Sequence, residues 1–421
     1  MVITLTSCNL TKFVPQDQYL LNDVRIKVED TKDVAPADLM KYVQQKENTE
    51  ILGFWKLQLG IYNTASLDTA KWTSKNARKI GEAPVVFSHD LAESSCTQLE
   101  KAMNNKGYFR AKVDTTMRVK NRKLDLVYNV TANEPYTLRT YSVKLPHAEL
   151  NNIAQNRRQT LIQQGMQYDA DILNRERQRV ASAMRRQGYF YFDPEYIQFV
   201  ADSTKSKRQI DVEMRLQDYL QQLEQNQREQ IFRQYTVARV HFHIDYDPNR
   251  IPEDQEMFAS MQDGYVFTWV GQKLIRDKVL MRHCPIRPNE RYNENLVERA
   301  YARLNQLAPV KYVDISFEPI SSNELDCHIV LSRGKLNSVS AEVEGTYSAG
   351  DWGVAAGVGY VNRNLFHGAE ELSVNGRASY EWRQNGGRAI EAKASAALKF
   401  SSEMAVDLAY NFQNRPDEYT R

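Results

Sequence analysis

From about Lys335 onward the chain alternates strictly between apolar and polar positions. Leu372, Val374, Gly376, Ala378, Tyr380 and Trp382 fall on one face of a strand, and Ser373, Asn375, Arg377, Ser379, Glu381 and Arg383 on the other, because successive side chains of an extended chain point to opposite sides. After Asn385-Gly386-Gly387 the pattern resumes, with Ile390, Ala392, Ala394, Ala396, Leu398 and Phe400 opposing Glu391, Lys393, Ser395 and Lys399. Met404, Val406, Leu408, Tyr410 and Phe412 carry it on, so that five consecutive strands are predicted. Tyr347, Trp352, Tyr360, Tyr380, Trp382, Phe400, Tyr410 and Phe412 sit near strand ends, where a membrane barrel carries its aromatic girdles. A soluble β-sandwich produces the same alternation, so the preceding three quarters of the chain must decide.

There the period changes and a repeat emerges. The segment 99–109, ending in Gly107-Tyr108-Phe109, recurs at 180–190, ending in Gly188-Tyr189-Phe190, and a weaker copy runs from Val297 through Leu304 and Leu307 to Val310. Each copy reads as an amphipathic helix broken at Gly or Ala-Pro, followed by two strands. The second strands alternate strongly: Leu124, Leu126, Tyr128 and Val130, then Ile210, Val212, Met214 and Leu216, then Leu325, Cys327, Ile329 and Leu331. A strand also opens each unit, marked by Val24, Ile26 and Val28, by Val143 and Leu145, and by Val240, Phe242 and Ile244. Helical stretches such as 152–164 and 170–186 fill the middle, which gives the order strand, helix, helix, strand, strand.

Three such units directly before a strand array resemble the polypeptide-transport-associated (POTRA) domains and barrel of the outer-membrane assembly factor superfamily. The two Gly-Tyr-Phe junctions, the run Gly81 to Val85 and the run Asn362 to Gly368 carry the resemblance, which covers essentially the whole chain. Three units, a lipoprotein-like start at Cys8 and Lys12-Phe13-Val14-Pro15 before the first strand look most like the lipoprotein form of the translocation and assembly module found in Bacteroidetes. The implied fold class is α+β, with three tandem POTRA (βααββ) domains followed by the first strands of a C-terminally truncated transmembrane antiparallel β-barrel. The expected division is a truncated lipoprotein signal and tether at 1–18, a first POTRA-like domain at 19–135 with an insertion at 54–79, and a second at 136–217. A polar insertion or linker at 218–234, a third domain at 235–334 and five barrel strands at 335–421 complete it.

Composition narrows the alternatives. With 26% charged and 42% hydrophobic residues the 421-residue chain is ordinary folded protein, and a net charge of +2 without an aromatic-plus-basic cluster calls for no nucleic acid. No run approaches 18 apolar residues, so a membrane is met only through strands or a lipid. Cys8, Cys96, Cys284 and Cys327 show neither Cys-x-x-Cys spacing nor a disulfide framework. Cys8 follows Leu5-Thr6-Ser7, which resembles a lipobox, and precedes a polar tether, although the segment before it is too short for a complete signal peptide. It is the expected lipid-attachment residue.

Chemistry is sparse. His241 and His243 share a strand face at a spacing that can bind metal, but a solvated face opposite Phe242 and Ile244 is the expected explanation. Asp245, Asp247 and Asn249 begin like a calcium loop without its glycine and read as a turn, while Gly353, Gly357 and Gly359 read as small lumen-facing residues opposite Trp352, Val354, Ala356, Val358 and Tyr360. Cys96, Cys284 and Cys327 read as core or half-buried thiols. With no Gly-x-Ser-x-Gly elbow and no other catalytic constellation, neither enzyme activity, cofactor nor metal is expected.

Function is then expected at surfaces that pair backbone. In the resembled fold the strand after the Gly-Tyr-Phe junction is an open edge, here 111–119, 191–200 and 310–317, able to take up an extended chain. The candidate pairing residues are Val310, Lys311, Tyr312, Val313, Asp314, Ile315, Ser316 and Phe317. The candidate barrel seam comprises Ser338, Val339, Ser340, Ala341, Glu342 and Val343. The resemblance implies a bacterial outer-membrane assembly or translocation factor with periplasmic POTRA domains. Its implied partners are unfolded outer-membrane proteins, outer-membrane lipid and a periplasm-spanning subunit. An outward secretion pore for one dedicated partner, or a periplasmic scaffold ending in a β-sandwich, are the alternatives.

Overall fold

A computed structural model describes residues 10–51, 56–66, 72–156, 158–204, 207–244, 257–348, 351–382, 388–400 and 405–414. The lipobox-like segment with Cys8, the calcium-loop-like run at 245–249 and the Asn385-Gly386-Gly387 turn lie outside the described residues. The fold is mixed α/β. It divides into two compact units, residues 1–180 with 194–217, and residues 181–193 with 218–421.

The first unit contains two three-stranded sheets. In the first, β1 (Leu20–Glu29) is followed by the helices α1 (Pro36–Leu39), α2 (Leu57–Asn63), α3 (Trp72–Ile80) and α4 (His89–Asn105), then by β2 (Lys112–Lys120) and β3 (Lys123–Thr131). Their order is β1-β3-β2, with β1 parallel and β2 antiparallel to β3. A parallel pair needs a crossover, which the helices supply. The β2–β3 hairpin closes through Asn121 and Arg122 at φ 50° and 60°, the left-handed positions of a two-residue turn. Alternation in β3 turns Leu124, Leu126, Tyr128 and Val130 inward onto Leu99 and Met103 of α4, all of them buried.

The expected insertion at 54–79 contributes α2 and most of α3, and the Lys12-Phe13-Val14 phrase ties it down. Lys12 Nζ donates to the carbonyls of Asn63 and Ala65 at 3.1 and 2.6 Å, Phe13 meets Tyr62 edge-on at 5.5 Å, and Leu59 is buried against Val14 and Leu20.

The second sheet comprises β4 (Thr137–Lys144), β5 (Ile197–Asp202) and β6 (Gln209–Leu216) in the order β4-β6-β5, with α5 (Ala148–Ala154) and α6 (Ala170–Arg186) between β4 and β5. Two sequence expectations fail here. The predicted helix at 152–164 ends with α5, because the following chain bonds elsewhere: Leu161 N–H and Thr160 Oγ1 donate to Glu176, and Gly165 N–H to the Leu138 carbonyl. The predicted edge strand at 191–200 begins only at Ile197, after a 3-10 turn opened by Pro194, whose ring removes a ladder donor.

The second unit opens with α7 (Gln225–Ile231) in the polar insertion and continues through β7 (Thr236–Ile244), β8 (Met257–Gln262), β9 (Tyr265–Val270), α8 (Asp277–His283), β10 (Glu290–Arg291), α9 (Glu294–Asn305), β11 (Val310–Pro319) and β12 (Glu324–Arg333). The sheet order is β11-β12-β7-β9-β8, with β10 also on β7. The β8–β9 hairpin departs from the strand, helix, helix, strand, strand order expected for this unit. It turns through Asp263 and Gly264 at φ 51° and 80°, an Asp-Gly pair that is a recognised hairpin signal. Val240, Phe242, Phe267, Leu280, Cys284, Leu304, Cys327 and Ile329 form the buried core between sheet and helices.

Strands β13 (Asn337–Ser348), β14 (Asp351–Asn362), β15 (Glu371–Trp382), β16 (Arg388–Lys399) and β17 (Ala405–Asn414) form an antiparallel sheet in chain order. Register is unbroken: Val339 opposes Tyr360, Tyr360 opposes Val374, and Val374 opposes Ala396. In β14 Trp352, Val354, Val358 and Tyr360 are exposed while Gly353, Ala355 and Gly359 are buried, as the predicted two-face pattern requires. The sheet is open. Among the described residues no helix is long and apolar enough to cross a membrane, which says nothing of strands.

Candidate functional site

The candidate pairing strand β11 ends its sheet and pairs with β12. Lys311, Tyr312 and Asp314 are exposed, whereas Val313 is buried and Val310, Ile315 and Phe317 are half-buried. The backbone edge is thus accessible, but Phe317 is already engaged, packed edge-on to Tyr292 at 5.2 Å and near Phe190 at 5.7 Å. Strands β2 and β5 also end their sheets, and the candidate seam residues Ser338 to Val343 lie in β13, the first strand of the five-stranded sheet.

The Gly-Tyr-Phe motifs do more than end a helix. Gly107 at φ 88° and Gly188 at φ 99° adopt backbone open to glycine, and each abuts the start of the strand that opens the next sheet in the chain. The Gly107 carbonyl accepts the Tyr136 N–H at 2.9 Å and the Gly188 carbonyl accepts the Tyr235 N–H at 2.8 Å, Tyr136 and Tyr235 being the residues just before β4 and β7. A Cβ at Gly107 would meet the Tyr168 carbonyl at 2.6 Å, and one at Gly188 would meet Arg291 Cγ at 2.8 Å. Phe109 then packs edge-on against Tyr136 at 5.2 Å, as Phe190 does against Tyr235 at 6.1 Å. At the third junction the Pro309 carbonyl accepts the Gly334 N–H at 2.8 Å, just ahead of β13.

A second tie joins the six-stranded sheet's module to the open sheet through the β14–β15 turn, the Asn362 to Gly368 run. Buried Asn364 donates through Nδ2 to the Leu274 carbonyl at 2.7 Å, and Arg276 N–H donates to the His367 carbonyl at 3.0 Å. Arg276 Nη2 reaches Glu370 Oε1 at 3.1 Å, while Glu370 Oε2 accepts the Gly368 N–H at 2.9 Å. Ala369 sits in the module's hydrophobic core. The sequence marks this run as distinctive, but its role emerges only from these contacts.

His241 and His243 do lie opposite Phe242 and Ile244, but their face is not simply solvated. The array also includes His328 and Asp326 of β12 and Thr268 of β9. His328 stacks on His241 with ring centroids 4.7 Å apart, His243 Nε2 lies 3.1 Å from His328 Nδ1, and His243 Nδ1 lies 2.8 Å from Thr268 Oγ1. Arg239 and His241 both bond Asp326. Burial and the neighbouring His328 and His241 hold His243 below the ordinary imidazole value, and burial with His241 does the same to His328. No group of three or more His, Cys, Asp or Glu among the described residues is arranged to hold a metal.

The remaining buried chemistry is structural. Burial raises the Glu176 carboxyl, yet bonds from Arg179, the Leu161 N–H and Thr160 outweigh it and hold it below the usual carboxylate value. Burial pushes the Cys284 thiol up to about 12 and holds Cys327 well above the ordinary thiol value, so both stay protonated core groups.

No family model matches the chain, and no curated protein matches it. Among solved structures it is similar to the crystal structure of Haemophilus influenzae BamA POTRA3-5, with 13% identity and a TM-score of 0.36 over 76% of this chain and 99% of that one. It is also similar to BamA from Haemophilus ducreyi lacking POTRA domains 1-3, with 12% identity and a TM-score of 0.37 over 66% of this chain and 51% of that one. For CdiB from Acinetobacter baumannii the identity is 12% and the TM-score 0.30, over 66% of this chain and 44% of that one. The chain spans about half the length of the latter two structures or less.

Proposed function

We propose that this chain belongs to an outer-membrane protein assembly or translocation factor, closest to the lipoprotein form of the translocation and assembly module. In this reading three POTRA-like domains at 19–135, 136–217 and 235–334 lie in the periplasm, and 335–421 belongs to a membrane barrel. Cys8 carries the lipid. The factor is non-enzymatic, and unfolded outer-membrane proteins, membrane lipid and a periplasm-spanning subunit are its partners.

One observation carries the reading: terminal strands β2, β5 and β11 stand in series along the chain before an open antiparallel sheet with one apolar exposed face. A terminal strand offers N–H and C=O groups to an incoming extended chain, and main-chain pairing accepts many sequences. β11 is the last of these before β13, and the Gly334 N–H just ahead of β13 bonds the Pro309 carbonyl just before β11.

The test places proline within Val310–Phe317 at a residue whose N–H points away from β12, which removes a pairing donor and leaves the β11–β12 ladder intact. Crosslinking of unfolded outer-membrane proteins is expected to fall while circular dichroism stays unchanged. A folded variant that assembles them at the normal rate overturns the assignment of β11. Crosslinks confined to one partner protein would favour a dedicated secretion pore instead.

A further inference from the structure

We propose that β8 is a second docking edge, on the opposite flank of the sheet from β11, for an extended apolar polypeptide segment that places one side chain in the adjoining pocket. The proposal rests on the polypeptide-handling function above and names a further site for it. Edge strands are ordinarily guarded by charge, by proline or by a covering segment. Among the described residues, the other terminal strands of the three α/β sheets all carry charge: Arg25 and Lys27 in β1, Lys112 and Asp114 in β2, Arg139 in β4, Asp202 in β5, Lys311 and Asp314 in β11. β8 reads Met257-Phe258-Ala259-Ser260-Met261-Gln262 and carries none. It is also exposed, with Met257 at 72%, Phe258 at 42% and Met261 at 68% of full accessibility. Among the described residues it pairs with β9.

Beside the Met257 end lies a cavity of about 370 Å³, lined by Met257, Trp269, Val270 and Val330 with His243 and His328. An edge and a side-chain pocket together are the two parts of strand-addition recognition, the backbone giving affinity and the pocket selectivity. The occupant follows from chemistry. A row of backbone donors and acceptors fits another extended backbone, an uncharged strand favours an uncharged segment, and flexible methionines tolerate varied apolar side chains. A second copy fits less well: antiparallel β8–β8 pairing centred on the strand would set Gln262 opposite Met257 and bring Asp263 to the apolar pocket.

The experiment uses the full chain in detergent and a fluorescein-labelled decapeptide of alternating Phe and Ser, with a benzophenone version for crosslinking. Met257→Lys with Met261→Lys restores the missing edge charges, and Met257→Ile with Met261→Ile keeps the edge apolar. The lysine pair is expected to weaken peptide binding by about tenfold and the isoleucine pair, which stays uncharged, to weaken it much less. Crosslinks are expected on β8 and Trp269. Wild-type affinity in the lysine variant, or crosslinks joining two copies through β8, overturns the proposal. Crosslinks found on β11 alone overturn it too, and in that case the polypeptide-handling function stands while the second edge falls.

Discussion

The carbonyl of Gly107 accepts the backbone N–H of Tyr136 at 2.9 Å, and the same bond recurs between Gly188 and Tyr235 at 2.8 Å. A repeated motif thus makes a repeated junction. Glycine is required there twice over, by its left-handed φ and by the backbone or side chain pressed against its missing Cβ.

Gly188→Val is therefore expected to destabilise the chain by about 1–3 kcal/mol, through backbone strain plus displacement of Arg291. Phe190→Ala keeps the backbone and removes the ring packing against Tyr191, Tyr235, Tyr292 and Phe317. Urea denaturation of residues 19–334 measures both; a valine variant as stable as wild type would show that the close approach is not needed.

Glu176 is fully buried and bonded by Arg179, Thr160 and the Leu161 N–H. Glu176→Gln leaves the half-buried Arg179 without its counter-charge and is expected to cost roughly 3 kcal/mol. Since the folded carboxyl titrates below its unfolded value, its stabilisation is present above pH 4.5 and is lost as pH falls through the folded value. Denaturation at pH 7 and pH 3.5 should show a smaller pH effect in the glutamine variant.

The histidine array titrates in a higher window. His243 and His328 are held below 6.5, so as pH drops beneath that value the unfolded chain takes up protons that the folded array refuses, and stability falls. The groups facing the pair are Arg239, His241, Asp326, Glu318 and Thr268. His328→Asn is expected to flatten the stability profile between pH 7.5 and pH 5.5. Proton exchange monitored by NMR on the histidine rings supplies the folded values; a normal pKa for both rings would remove the basis of the effect.

Asn364→Ala removes the 2.7 Å donor to the Leu274 carbonyl, leaving it His367 Nδ1 at 3.4 Å, and takes the side-chain acceptor from the buried Ala369 N–H, at a cost of about 1–3 kcal/mol. Hydrogen exchange should quicken at Arg276 N–H, whose acceptor is the His367 carbonyl of the same turn. Unchanged protection there would mean that the turn is held without Asn364.

Period and turn chemistry determined much of this chain. Alternation located β3, β6, β12 and the five strands of the open sheet, because a two-residue period survives any packing that buries one face. The repeat at Gly107 and Gly188 also marked the helix ends. Tertiary structure alone decided what those glycines touch, since Tyr136, Tyr235 and Arg291 reach them only after the next sheet is built. It likewise decided that no helix continues through Leu161 after α5, since Glu176 takes the Leu161 N–H, and that β5 starts after Pro194. The β8–β9 hairpin is signalled by Asp263-Gly264, while its seat on β7 has no signal in the sequence. Pairing with a distant parallel strand leaves no local period, because the hydrogen bonds that fix it run between backbones and not side chains. The histidine array shows the same limit: His241 and His243 announce a shared face, but His328 joins them only through the register of β12 on β7.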